Sequence, residues 1–168
     1  TFEAGSQSGA SGTASIDVGE TASFTLPDLD ENPVASNLSA PGFDLVGWSI
    51  DDDNSVDIGS GDFNVGDSFV MPAEDETLYA VWSAAPDLTL TFDGGAQDAV
   101  DADSNTVTTK KQLQPTLLDG SGFSRPDHYI SGWVDRNGTP SQDDDTRYDL
   151  SATDFVMPNN DLTLFAEW

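Results

Sequence analysis

The sequence contains no cysteine, few basic residues and no long apolar run. Without cysteine it can form neither a disulfide scaffold nor a thiolate metal site, and it has no thiol nucleophile. Its five Lys and Arg residues face 31 acids, for a net charge of −26, which argues against nucleic acid and anionic lipid as partners. No stretch of about 18 apolar residues occurs, so we expect no membrane insertion in this segment.

The charge is also unevenly distributed. Residues 1–83 carry 16 acids and no Lys or Arg, so all five bases lie in the second half. Self-repulsion of this kind destabilises a compact fold, and salt relieves it because the Debye length falls to about 3 Å near 1 M. The composition therefore favours adaptation to a saline medium, although secreted proteins are also acidic for solubility.

The chain contains an internal repeat. Residues 69–82 read FVMPAEDETLYAVW and residues 155–168 read FVMPNNDLTLFAEW, with nine of 14 positions identical. Upstream, Gly47-Trp48 matches Gly132-Trp133. Repetition at a fixed period indicates repeated structural units. We predict two domains, residues 1–83 and 88–168, joined by a short linker, residues 84–87.

Both copies read as short β-strands separated by turn-forming residues. Thr13–Val18 and Thr77–Trp82 are examples, and the second alternates Leu78, Ala80 and Trp82 with residues of the opposite face. Residues 29–40 and 114–127 leave room for a crossover, but Pro and Gly allow at most a short helix there. The sequence thus predicts a mainly β or α+β fold with a short helical or irregular crossover. Four Trp at matched positions are expected in the cores rather than as sugar-stacking platforms.

Acidic loops are the candidate metal sites. One cluster includes Asp51, Asp53 and Asp57, and Asp101, Asp103 and Asn105 have the 1-3-5 spacing of a calcium loop. The loop has Thr at position 6 and Gln at position 12, where the calcium motif needs Gly and Glu. We therefore treat these six residues as weak Ca²⁺ candidates, since Asp-rich loops are commonly solvated surface.

Two glycosylation sequons occur, at Asn37 and Asn137, both in predicted loops. Catalytic chemistry has little support. His128 is the only His, and no spacing pairs it with a nucleophile. Carboxylates are too numerous to single out an acid–base pair. We predict no enzymatic activity and no cofactor beyond the candidate Ca²⁺.

Each copy resembles the Listeria–Bacteroides type repeat, a family that includes internalin B-repeats and related bacterial surface repeats. The shared pattern is a Gly-Trp strand, a variable acidic loop, Met-Pro and then D-x-T-L-[YF]-A-x-W. In the first copy the resemblance rests on Phe43, Gly47, Trp48, Met71, Pro72, Asp75, Thr77, Leu78, Tyr79, Ala80 and Trp82. It implies a β-grasp-like fold, a small mixed sheet packed by a short helix, in arrays within large secreted or cell-wall proteins. It carries no catalytic residues.

Together these observations predict a non-catalytic extracellular module, a stalk, spacer or adhesion segment of a large surface or secreted protein. Its expected partners are neighbouring repeats of the same parent chain. The chain lacks an initial Met, and we interpret it as a piece of a longer protein. Two alternatives remain open. One is a ligand-binding module for a glycan or host protein, with or without Ca²⁺, and the other is an accessory region of a secreted enzyme.

Overall fold

The computed structural model describes residues 1–29, 35–52, 62–96, 98–101, 105–136 and 145–168. The chain divides into two compact units, unit 1 (Thr1–Ala85) and unit 2 (Pro86–Trp168). Unit 1 thus takes in part of the expected linker, because Ala85 is buried and its N–H donates to the Gly42 carbonyl (3.0 Å).

Unit 1 consists of short strands and one 3₁₀ turn. These are β1 (Phe2–Glu3), β2 (Thr13–Ala14), β3 (Ser23–Thr25), the 3₁₀ turn Ala35–Asn37, β4 (Phe43–Ser49), β5 (Asp62–Asn64), β6 (Ser68–Val70) and β7 (Leu78–Ala84). Five strands form a sheet of order β2-β1-β7-β4-β5, and β3 pairs with β6 separately. Strand β1 runs parallel to β7, whereas the other pairs are antiparallel. The sheet is therefore mixed, and its parallel pair joins the first and last strands of the unit.

Unit 2 repeats this sheet. Its strands are β8 (Leu88–Asp93), β9 (Thr106–Thr109), β10 (Gly132–Asp135), β11 (Thr146–Asp149) and β12 (Leu162–Glu167). Their order, β9-β8-β12-β10-β11, corresponds strand for strand to that of unit 1, with β8 parallel to β12. The prediction of two tandem small β-grasp-like domains is confirmed. Within the described residues the crossover is reduced to the 3₁₀ turn in unit 1 and is irregular in unit 2.

The sequence did not predict two edge strands, β5 and β11. They contain three and four residues and follow acidic runs, so their alternation is too brief to be read. Strand β2 is shorter than expected, since the prediction extended it to Val18 and it ends at Ala14.

The same aromatic pair lies at the centre of each core. Trp48 and Trp133 are fully buried (0% exposed). Trp48 packs edge-to-face on Phe2 at 4.8 Å between ring centroids, and Trp133 packs in the same way on Phe92 at 4.7 Å. Their indole N–H groups donate to main-chain carbonyls, that of Pro27 just before the crossover of unit 1 (3.0 Å) and that of Leu118 within the crossover of unit 2 (2.7 Å).

The second Trp of each copy bonds to the segment that follows the first strand of its unit. Trp82 donates to the Ala4 carbonyl (2.8 Å) and Trp168 to the Gly94 carbonyl (2.7 Å). Matched contacts at all four Trp assign them to the folding of each unit.

The glycine of each Gly-Trp pair is required by a close approach of the edge strand. A Cβ added at Gly47 would lie 2.4 Å from the Phe63 carbonyl oxygen, and one at Gly132 would lie 2.7 Å from that of Tyr148. Both distances are too short for a side chain, so glycine lets β5 and β11 pair closely with their neighbours.

Candidate functional site

Of the first calcium candidates, Asp51 lies just after β4. Asp51 is exposed, and its backbone N–H donates to the Ser49 hydroxyl (3.0 Å). Asp53 and Asp57 lie outside the described residues. A Ca²⁺ site in this cluster therefore stays a prediction.

The second group of candidates is used to anchor the backbone of unit 2. The Asp101 carboxylate accepts the Gly94 N–H (2.7 Å), and the main-chain carbonyl of Asn105 accepts the Phe92 N–H (2.8 Å). Asp103 lies outside the described residues. In the part of the chain that the structure describes, no group of three or more His, Cys, Asp or Glu could hold a metal ion.

One of the two sequons can be placed. Asn37 ends the 3₁₀ turn of unit 1, and its side chain is exposed, so an attached sugar would meet no packed surface. Asn137 lies outside the described residues. Use of either sequon stays a prediction.

The basic side chains fasten segments of unit 2 to one another. Among the described residues, ion pairs join chain-distant side chains at Lys110–Asp87 (2.8 Å), Arg125–Asp98 (2.9 Å) and Arg147–Glu167 (2.8 Å). Arg136 stacks over the Phe165 ring at 4.2 Å from its centroid. These pairs are partly exposed and each contributes at most about 1 kcal/mol, but they use the bases within the unit rather than gathering them into a basic surface.

A polar cleft of about 270 Å³ opens beside β11. Arg147, Tyr148 and Asp149 line it from the strand, and Asp154 and Glu167 lie around it. It offers a guanidinium, a phenol and several carboxylates, which can hydrogen-bond a hydroxyl-rich ligand. Its volume lies just below the range of about 300–1,000 Å³ typical of ligand sites.

Tyr148, which lines the cleft, has a raised pKa. Burial, followed by the negative charges of Asp135 and Asp154, raises the pKa of Tyr148 above its ordinary value of 10.0. The matching residue of unit 1 is Phe63, because Trp48 pairs with Phe63 as Trp133 pairs with Tyr148. The hydroxyl is therefore particular to unit 2, and comparing the copies residue by residue would have singled it out.

Unit 1 has a groove at the end of its sheet where its first strand begins, lined by Thr1. The groove measures about 430 Å³, and its rim includes Asp17, Asp75 and Glu76. It adjoins a small recess with a largely apolar lining, which includes Phe2, Ile16, Val18, Phe24, Phe69, Met71 and Leu78. An acidic rim over an apolar floor distinguishes this groove from the polar cleft of unit 2.

Some aromatic and aliphatic side chains are exposed on the surface. Tyr129 is 83% exposed and Val100 is 62% exposed, both in unit 2. Tyr79 and Phe165, which the alternation of the last strand put on the face opposite the Trp, are only partly exposed. Among the described residues, none form a helix with the length and hydropathy of a membrane span.

The fold and its repeated core define a tandem of small β repeat domains. Residues 7–86 match the profile of the divergent InlB B-repeat domain family. The resemblance inferred from the sequence is thereby confirmed, and unit 2 shares the strand order and Trp contacts of unit 1.

A longer relative aligns with most of the chain. A protein named as a Gly-rich membrane protein, from Evansella cellulosilytica, is 28% identical over 165 residues. The alignment covers 88% of this chain but 18% of the relative, so the chain spans less than a fifth of that protein. No solved structure shows a significant match to the chain.

Proposed function

We propose that the chain is a non-catalytic extracellular repeat module, a spacer or adhesion segment of a large surface or secreted protein. The observation that carries the proposal is the repetition of the same core contacts in two units whose loops and charges differ. Selection for a spacer preserves the fold of each unit and leaves the outer surface free to change. The match of residues 7–86 to the InlB B-repeat family supports the same location.

The proposal includes adaptation to a saline medium. Its support is the net charge of −26, together with the use of basic residues in ion pairs inside unit 2. Repulsion among so many carboxylates weakens with ionic strength.

The spacer role can be tested on the cell surface. An epitope is displayed at the end of an anchor carrying no unit, one unit or both units, and its access to a bulky antibody is measured. We expect access to depend on the number of units, and a chain with unit 2 in both positions should perform as the natural pair does. Access that is the same with no unit and with both units would contradict the proposal.

Ligand binding is the second candidate function, favoured by the exposed Tyr129 and by the polar cleft beside β11. A panel of glycans and extracellular matrix proteins tests it directly. Saturable binding that is lost in Tyr129→Ala or Tyr148→Phe, with the fold intact, would establish a binding module in place of a passive spacer.

A further inference from the structure

The two units differ at the strand that enters the central sheet. Phe92 of β8 occupies the place of Phe2 in β1, since each packs on the first Trp of its unit. Strand β1 begins at Phe2, whereas β8 begins four residues before Phe92, at Leu88. The additional residues of β8 lie between β9 and β12, and Leu90 pairs with Val107 on one side and Leu162 on the other.

The groove of unit 1 lies where those residues lie in unit 2. Ser15–Val18 match Thr106–Thr109 of β9 and show the same alternation of exposed and half-buried side chains. In unit 2 these residues form a strand on Leu88–Thr91, whereas in unit 1 the structure assigns no strand to Ser15–Val18 and they line the groove. The groove therefore has the backbone of an acceptor strand along one wall.

The floor of the groove also matches an occupied site. Leu90 is 0% exposed and belongs to the same core cluster as Met157, which is 1% exposed. Met71, the counterpart of Met157, is only partly buried and lines the groove. An apolar side chain at the position of Leu90 would cover Met71 as Leu90 covers the core of unit 2.

The rim carries a hydrogen-bond acceptor for the incoming backbone. In unit 2 the Asp161 carboxylate accepts the N–H of Thr89 (2.7 Å), the middle residue of the Leu-Thr-Leu segment. Asp75 is its counterpart in the repeated motif and lies on the rim of the groove. Asp161 thus binds the strand that enters unit 2. Asp75 is placed to bind an entering strand of unit 1 in the same way.

We propose that this groove is a strand-acceptor site and that its occupant is an extended segment of the pattern apolar-x-apolar, lying directly N-terminal to Thr1 in the parent protein. The segment pairs with Ser15–Val18, buries its two apolar side chains over Met71 and donates its central N–H to Asp75. The proposal deepens the repeat-array function, because the segment that leads into each unit then forms part of that unit's sheet. Linkers of such an array are structural strands and not flexible connections.

The test uses the full chain with five residues added before Thr1. One variant carries Pro-Asp-Leu-Thr-Leu, copied from Pro86–Leu90, and the matched control carries Pro-Asp-Ser-Thr-Ser. Hydrogen bonds alternate along an antiparallel pair, and the Phe92 N–H donates to the Asn105 carbonyl. The amides of Ile16 and Val18, two and four residues beyond the counterpart of Asn105, should therefore gain partners. We expect the Leu extension to slow their exchange at least about tenfold and to raise the melting temperature of unit 1 by at least about 5 °C.

Equal protection from the Leu and Ser extensions, or none from either, would overturn the proposal. Asp75→Ala should weaken the protection in the Leu-extended chain and leave the exchange of Ile16 and Val18 unchanged without the extension. Asp161→Ala provides the positive control, since it should expose the Thr89 amide. A dimer that forms only with the Leu extension, detected by sedimentation, would mean that the groove takes a strand from another molecule and would refute the assignment. Ligand binding by the chain would count against the spacer function alone, so the two failures are distinguishable.

Discussion

Replacing Trp133 by Phe tests whether the matched Trp residues hold the repeats together. Trp133 is fully buried, donates to the Leu118 carbonyl at 2.7 Å and packs edge-to-face on Phe92 and Phe123 at 4.7 and 5.1 Å. Loss of the donor leaves the carbonyl unsatisfied, at a cost of about 1–3 kcal/mol. The smaller ring leaves a cavity that costs about 1 kcal/mol more. The free energy of unfolding of unit 2 should therefore fall by about 2–4 kcal/mol.

Residue-resolved hydrogen exchange measures this loss and has an internal reference in unit 1. The amides of β10 and β12 should exchange roughly 30- to 1,000-fold faster in Trp133→Phe, because about 1.4 kcal/mol corresponds to a factor of ten. The amides of β4 and β7 should keep their rates, and Trp48→Phe should produce the opposite pattern. Tyr129→Phe, at a side chain that is 83% exposed, is the matched control and should change neither unit.

Two results would refute this reasoning. A loss below about 0.5 kcal/mol in unit 2 would mean that the indole hydrogen bond and its ring contacts do not stabilise the core. Equally faster amide exchange in both units would mean that the two units unfold together and are not independently stable.

Three other perturbations probe the charge, the edge strand and the cleft. Molar NaCl should raise the melting temperature well above its low-salt value, since the chain carries −26 charges; a flat response with a jump at millimolar CaCl₂ would instead indicate specific calcium sites. Gly132→Ala should destabilise unit 2 by about 1–3 kcal/mol in urea unfolding, because its Cβ would lie 2.7 Å from the Tyr148 carbonyl oxygen; an unchanged midpoint would show that β11 moves aside freely. The raised pKa of Tyr148 means that the folded phenol keeps its proton where the unfolded phenol loses it, so stability should fall as pH rises above about 10. Tyr148→Phe should flatten this alkaline dependence, and an unaltered slope would assign it to other groups.

The tandem architecture and its core could be predicted because their signal is repeated. Gly47-Trp48 and Gly132-Trp133 recur with little change, and each pair places its Trp at the centre of one core. Because the two copies diverge elsewhere, the apolar residues that they share are the ones that the core requires.

The alternation along β7 was predicted only in part. Leu78, Ala80 and Trp82 share a buried face as expected, but Val81, on the opposite face, is also buried (2% exposed). Strand β7 lies between β1 and β4 at the centre of its sheet. A central strand covered on both faces loses the contrast between apolar and polar positions on which the prediction depends.

Other features could not be read from the sequence because they depend on chain-distant partners. The pairing of Arg147 with Glu167 requires that β10 lie between β11 and β12, and no spacing along the chain encodes it. The end of β2 at Ala14 has a related cause. Ser15–Val18 have the alternation of a strand, but a strand is also defined by its neighbour, and the described residues supply none beside them.

Residues shared by the two copies but exposed in both need an explanation other than core packing. Asp161 is exposed, and its bond to the Thr89 N–H shows that the motif's Asp fixes the strand entering the sheet. The same Asp in unit 1 therefore points to an incoming strand there, a conclusion that the partly exposed Met71 supports independently. Nothing in the structure explains the motif's exposed Val, Val70 in unit 1 and Val156 in unit 2. The repeated motif thus specifies two things, a core centred on Trp and the place where the preceding segment joins the sheet, and the second makes each unit depend on the residues that lead into it.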